Sequence, residues 1–201
     1  MTRSKTIGAL AFVAAIAGAG MGLYLTFMTP EVSDDRWSYP QTATHFAWMQ
    51  VGFMLQHIPL ILGLLAATVA VGPSRVGRTG WFVGIAGMVA LTVNEGLAIL
   101  PRHQASDSAL AGTIGALYGV GTLLIAVGLM IGGMGAVKAG IWRKAESWLL
   151  FLLGGWLLVP ALPVLIFWSL EPSRIVLSMW MLLFAGLGWA LVRRSSRVTD
   201  A

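Results

Sequence analysis

Inside the long apolar runs of this chain, with Arg174 counted at the boundary of the last one, Glu95 is the single residue of full charge. A charged side chain at mid-membrane costs about 2.5–3.5 kcal/mol on insertion scales, and residues kept there at that cost are functional by default. A carboxyl held away from water suits general acid work or hydrogen-bond donation. His57, two residues before Pro59, is the matching candidate for a base or an orienting partner. Gln50, Gln56, Thr92, Asn94 and Tyr118 are candidate ligand-binding groups. Each also has a structural use, as an interhelical hydrogen bond averaging about 0.6 kcal/mol.

Other chemistries find no support. The chain has no cysteine, which excludes disulfides, thiolate metal sites and thiol nucleophiles. No phosphate loop, zinc-protease helix or serine-nucleophile elbow is present. His45 and His57 fall ~120° apart on one helix at ~100° per residue, unlike a haem-binding pair. Asp34, Asp35 and His103 lack metal-ligand spacing. No cofactor and no metal are expected.

The elements that must carry these residues are apolar. Of 201 residues, 57% are hydrophobic and 10% charged, against roughly 25% charged in a soluble domain. Runs near or above ~18 apolar residues point to membrane-spanning helices. Six spans are predicted, at 7–28, 46–71, 80–100, 109–137, 147–169 and 173–192, forming one all-α bundle over residues 1–201. The first run continues past the ~7–15 residues of a signal-peptide core, so it is read as an uncleaved span.

Lys and Arg set the expected orientation. Arg3, Lys5, Arg75, Arg78, Lys138, Arg143, Lys144, Arg193, Arg194 and Arg197 fall on one side, and Arg36, Arg102 and Arg174 on the other. This predicts cytoplasmic termini in a bacterial plasma membrane. The basic balance therefore reports topology, and no nucleic-acid partner is expected. Trp37, Tyr39, Trp48 and Trp168 are expected as anchors at the outer interface, and Trp81, Trp142, Trp148 and Trp189 at the inner one.

With ~1.5 Å of rise per residue, Gln50 lies roughly 6 Å inside the outer boundary, Glu95 roughly 8 Å, Thr92 roughly 12 Å, Tyr118 roughly 14 Å and His57 roughly 16 Å. Gln50 and His57 share a helix face, as do Thr92 and Glu95. The short connection 72–79 makes spans two and three antiparallel neighbours. A polar pocket between the outer halves of spans two, three and four follows.

Three further features carry expectations. Gly112, Gly115, Gly119, Ala126 and Gly133 fall within about 60° on a helical wheel. With Gly18-x-x-x-Gly22 they predict close packing seams inside the bundle, or else a seam with a second copy or a membrane partner. The connection 29–45 is read as a solvated loop, with a cap over the outer mouth of the bundle as the alternative. Pro59 and Pro160 interrupt the middle span of each half, which points toward transporter-like repeats; the halves share no sequence similarity, and the match is read as coincidence.

Ser38-Tyr39-Pro40, Gln50, Gln56-His57, Arg75-x-Gly77-Arg78 and Glu95 together resemble a class of small multi-pass bacterial membrane proteins. The resemblance covers roughly the first half of the chain. It implies a six-helix membrane fold and supplies no activity. The function expected from the residues is binding or conversion of a lipid-like or small amphipathic molecule, with membrane lipids as the surrounding partners. Proton-coupled transport through Glu95 and an accessory-subunit role are the alternatives.

Overall fold

The computed structural model describes residues 3–168 and 170–199. Ser169, the predicted end of the fifth span, and Ala201 at the chain end lie outside the described residues. The fold is all-helical: α1 (Arg3–Phe27), α2 (Ala43–Ala67) running into a 3-10 turn at Thr68–Val71, α3 (Arg75–Leu97), α4 (Ala109–Ala139), α5 (Lys144–Trp156), α6 (Leu162–Phe167) and α7 (Leu170–Thr199). A π-type turn at Leu157–Ala161 joins α5 to α6. Six stretches are long and apolar enough to cross a membrane: Ser4–Phe27, Ala43–Val71, Arg75–Leu97, Ala109–Ala139, Lys144–Phe167 and Glu171–Arg194.

Polar residues just outside the apolar runs set the helix starts. Thr42, Ser74 and Ser108 accept hydrogen bonds from the backbone N–H groups of His45, Gly77 and Ala111, capping α2, α3 and α4. Gly140, at φ 63°, ends α4 in the left-handed region that glycine adopts without strain.

The spans pack in chain order around a ring, and α7 closes back onto α1. At one end lie the connections 28–42 and 98–108 (the loop end). At the other lie residue 3 and the connections 72–74 and 140–143 (the terminal end). The most extensive seams are α1–α7, α3–α4 and α4–α5. Glycine makes them close. A methyl group at Gly84 would stand 2.6 Å from the Leu129 side chain, and one at Gly8 would stand 2.8 Å from the Gly188 carbonyl oxygen. Such approach gives helices in lipid their dispersion contact. Gly18 and Gly22 act as expected, closing on Gln56 and on the Ser178 hydroxyl.

The α4 stripe departs from expectation. Ala126 and Gly133 do face α5: the Ala126 carbonyl meets Gly154, and Gly133 meets the Phe151 backbone. Gly112, Gly115 and Gly119 have nothing within 4 Å of where a side chain would begin. The same face is a packed seam near the terminal end and bare near the loop end. The cause lies in the fifth span. Its π-type turn contains Pro160, and Pro163 follows; neither proline donates a backbone hydrogen bond. Beyond this turn the span leaves α4, and α6 buries none of its residues. By contrast α2 continues through Pro59, so the two proline interruptions are not equivalent.

The aromatic residues divide as well. Trp48, Trp148, Trp168 and Trp189 are exposed, as interface anchors should be. Trp81 is not an anchor. It is fully buried, and its indole N–H donates to the Leu64 carbonyl at 3.1 Å, tying α3 to α2. Trp142 is buried beneath the Arg194 guanidinium, 4.9 Å from its ring.

These contacts separate a glycine in a packed seam from one on a bare face. Gly84→Leu is expected to lower stability by about 1–3 kcal/mol or more, through overpacking against Leu129. Gly119→Leu is expected to leave the melting temperature in mild detergent unchanged. Thermal unfolding of the two variants beside the parent protein checks both.

Candidate functional site

A cavity of about 320 Å³ lies on the ring axis, in the half of the bundle nearer the loop end. All six spans line it, more than the three expected: Gly18 and Gly22 from α1, Gln50, Gln56 and His57 from α2, Glu95 from α3, Tyr118 and Thr122 from α4, Leu157 and Leu165 from the fifth span, and Arg174 and Ser178 from α7. Leu60, Met88, Leu129, Leu153 and Phe184 are fully buried and fill the bundle on the terminal side.

On one wall three helices meet through a tyrosine. The Tyr118 hydroxyl donates to Glu95 Oε2 at 2.8 Å. Gln50 Nε2 donates to the same hydroxyl at 3.4 Å. The expected meeting of α2 and α3 therefore occurs through a residue of α4. One phenol oxygen acts as both donor and acceptor, which its chemistry permits.

His57 and Gln56 line the same cavity without joining this relay. His57 is buried, and its Nδ1 has no hydrogen-bond partner among the described residues. Gln56 Nε2 reaches only the Met181 sulfur, at 3.7 Å, and its Oε1 has no partner. Thr92 and Asn94 do not line the cavity. The Thr92 hydroxyl donates to the Met88 carbonyl of its own helix at 2.7 Å. Asn94 Nδ2 donates to the Ile114 carbonyl at 3.3 Å, fastening α3 to α4.

The opposite wall holds residues that the sequence argument passed over. Arg174, counted there with the outer boundary, lines the cavity half-buried. Its guanidinium donates to the Leu25 carbonyl and, at 3.5 Å, to the Tyr39 carbonyl. It forms no salt bridge among the described residues. Gln41 is buried beside the cavity, and its Nε2 has no partner among the described residues. A signal for Arg174 was present: it lies inside the sixth apolar window, and Ser178, four residues on, shares its helix face.

The connection 28–42 is not a freely solvated loop. It is knitted to 98–108 and roofs the cavity. The Trp37 indole N–H donates to the Ala98 carbonyl at 2.9 Å, Trp37 N to Gln104 O at 3.1 Å, and Ser106 N to Asp35 O at 2.7 Å. Arg36 Nη1 donates to the His103 carbonyl at 3.2 Å. Glu31 anchors the roof to α2, its carboxylate accepting Thr42 N at 2.9 Å and facing His45 Nδ1 at 3.3 Å. The backbone N–H of Thr42, and then His45, hold the Glu31 carboxyl below its ordinary range. Asp34, Asp35 and His103 gather no metal-binding cluster among the described residues.

No family model matches the chain, and searches of curated proteins and of solved structures find no similar one. The geometry therefore carries the functional argument. A mostly apolar chamber is lined by a guanidinium and three amides, together with a carboxyl–phenol pair and an imidazole. Three of the residues lining it, Gln41, Gln56 and His57, each hold a buried polar atom (Nε2, Oε1 and Nδ1) without a hydrogen-bond partner among the described residues. A buried polar atom left unpaired costs roughly 1–3 kcal/mol, so each favours a guest that can pair with it.

Two outcomes test this account. Tyr118→Phe strands Glu95 and Gln50 together and should cost roughly 1–3 kcal/mol in thermal unfolding; Thr92→Val, which loses only a bond within its own helix, should cost far less. The lowered carboxyl of Glu31 makes its contact with Thr42 complete above the ordinary carboxylate range and lost as pH falls through the lowered value. Glu31→Gln should lower the protection of the Thr42 amide against hydrogen exchange roughly threefold to tenfold near neutral pH and abolish the loss of that protection on acidification, after correction for intrinsic exchange.

Proposed function

We propose that this protein is an integral protein of the bacterial plasma membrane that binds a lipid-like or small amphipathic molecule in the outer half of the bilayer. In this reading both termini are cytoplasmic and the loop end faces outward, as the ten-to-three Lys and Arg distribution favours. The observation that carries the reading is the chamber itself. Its volume, about 320 Å³, falls at the lower end of the ~300–1,000 Å³ of small-molecule sites. Its wall is largely apolar, and three of the residues lining it hold buried polar atoms without partners among the described residues.

The guest is amphipathic in this argument because the wall is. Its polar end pairs with Arg174 and Gln41, or with the Glu95–Tyr118 pair across the chamber. Its apolar body lies along Phe46, Phe53, Leu91 and Ile125. The packed layer of Leu60, Met88, Leu129, Leu153 and Phe184 argues against a transport path to the terminal end. Binding therefore ranks above proton-coupled transport.

The test is native mass spectrometry of protein purified in mild detergent. An amphiphile should remain bound to the parent protein. Arg174→Gln should reduce its retention about tenfold, because hydrogen bonds to a charged group are worth roughly 1.5–3 kcal/mol, and Glu95→Gln should reduce it roughly threefold to tenfold, as for a hydrogen bond of about 0.5–1.5 kcal/mol. Glu95→Gln keeps a hydrogen-bonding group of the same shape, and Arg174→Gln, whose shorter side chain gives up the Leu25 and Tyr39 carbonyls, is compared with the parent below the melting temperature of both. A parent protein that carries no amphiphile, or variants that retain it undiminished, would overturn the reading.

A further inference from the structure

We infer that the guest enters the cavity sideways from the surrounding leaflet, between α4 and the proline-broken end of the fifth span, and therefore that it is a membrane-borne amphiphile and not a water-borne solute. The inference rests on the proposed role of the cavity as a binding site and adds the route and the source.

Four observations meet at one place. The bare part of the α4 stripe, Gly112, Gly115 and Gly119, continues the face that packs on α5 through Ala126 and Gly133. The gap therefore lies where the fifth span would have been had it stayed straight. The π-type turn at Leu157–Ala161, with Pro160, marks where the two helices part. Past it, α6 buries no residue. Both flanks of the gap are cavity wall: Tyr118 and Thr122 on the α4 side, Leu157 and Leu165 on the other. Leu165 lines the cavity and is 37% exposed.

Chemistry chooses the traveller. Glycine leaves a smooth groove at the backbone of α4, and Leu165 and Leu157 supply an apolar opposite edge, a passage suited to an acyl or other hydrocarbon chain. From the loop end, the way in is roofed by the hydrogen-bonded connections 28–42 and 98–108. A polar solute would have to part that roof, whereas a lipid needs only to slide within its own layer.

The native absence of cysteine makes the route measurable. Thr122→Cys places one thiol on the cavity wall just inside the gap, and Val127→Cys places a control on the exposed surface of the same helix. Protein in phospholipid vesicles is treated with dodecyl maleimide dissolved in the bilayer, or with a sulfonated maleimide in the water. Each rate is normalised to a model thiol. The bilayer reagent should label Thr122→Cys at least tenfold faster than the aqueous one. Adding Gly119→Trp, which fills the gap where nothing stands within 4 Å, should slow that labelling about tenfold. Labelling of Val127→Cys and the melting temperature should not change.

Equal labelling by the aqueous reagent, or labelling indifferent to a folded Gly119→Trp, would overturn the lateral route. So would a change in oligomeric state on Gly119→Trp, which would make the stripe a contact between chains. Because the readout is access and not retention, a working portal in a protein that carries no amphiphile would count against the binding role alone.

Discussion

The close approach of α3 and α4 backbones governs this molecule. In hydrocarbon, helix association gains nothing from expelling water and relies on dispersion over short distances. Gly80, Gly84 and Gly87 on one helix and Gly128 and Gly132 on the other remove the side chains that would hold them apart. Their contact fixes the rotation of both helices. That rotation turns Glu95 and Tyr118 toward the axis and lets them meet at 2.8 Å. It also turns the bare glycine face of α4 toward the fifth span. Cavity wall and lateral gap follow from one seam.

Polar groups are arranged in two distinct ways. Trp81, Trp156 and Trp180 each give an indole N–H to a backbone carbonyl of a neighbouring segment. Asn94 does the same with its amide. These are rivets between helices. Around the cavity the arrangement is looser: Gln41, Gln56 and His57 each keep an atom without a partner among the described residues. Unpaired atoms are not confined to the chamber, since Asn94 Oδ1 and Trp142 Nε1 also lack a partner among the described residues; what sets the chamber apart is that three such residues line one void.

Much of the fold was legible because hydrophobic length is a strong signal. The predicted second span, 46–71, meets a helix at Ala43–Val71, and the predicted third, 80–100, meets Arg75–Leu97. The third helix starts earlier because its Ser74 cap precedes two arginines, which a helix end at an interface accommodates. Rotation about each helix axis was less legible. Glu95, Tyr118 and Gln50 could be gathered by depth alone. Thr92 and Asn94 lie at similar depths but turn away, and depth says nothing about that. Gly112, Gly115 and Gly119 look like a seam in sequence, because no periodicity reveals that the opposite helix has bent aside. Arg174 was hidden by the habit of assigning a terminal arginine to the interface.

The first span's most extensive contact is with the last one, and Arg174 of that last span holds the Leu25 and Tyr39 carbonyls at the other end of the chain. The ring therefore has a clasp. During synthesis, α1 reaches the bilayer long before its principal neighbour exists, and its glycine face at Gly8 and Gly22 must stay against lipid until α7 arrives. Ring closure belongs to the finished chain. A truncation that removes only the final helix takes with it the fastening of the first, and with that one wall of the chamber.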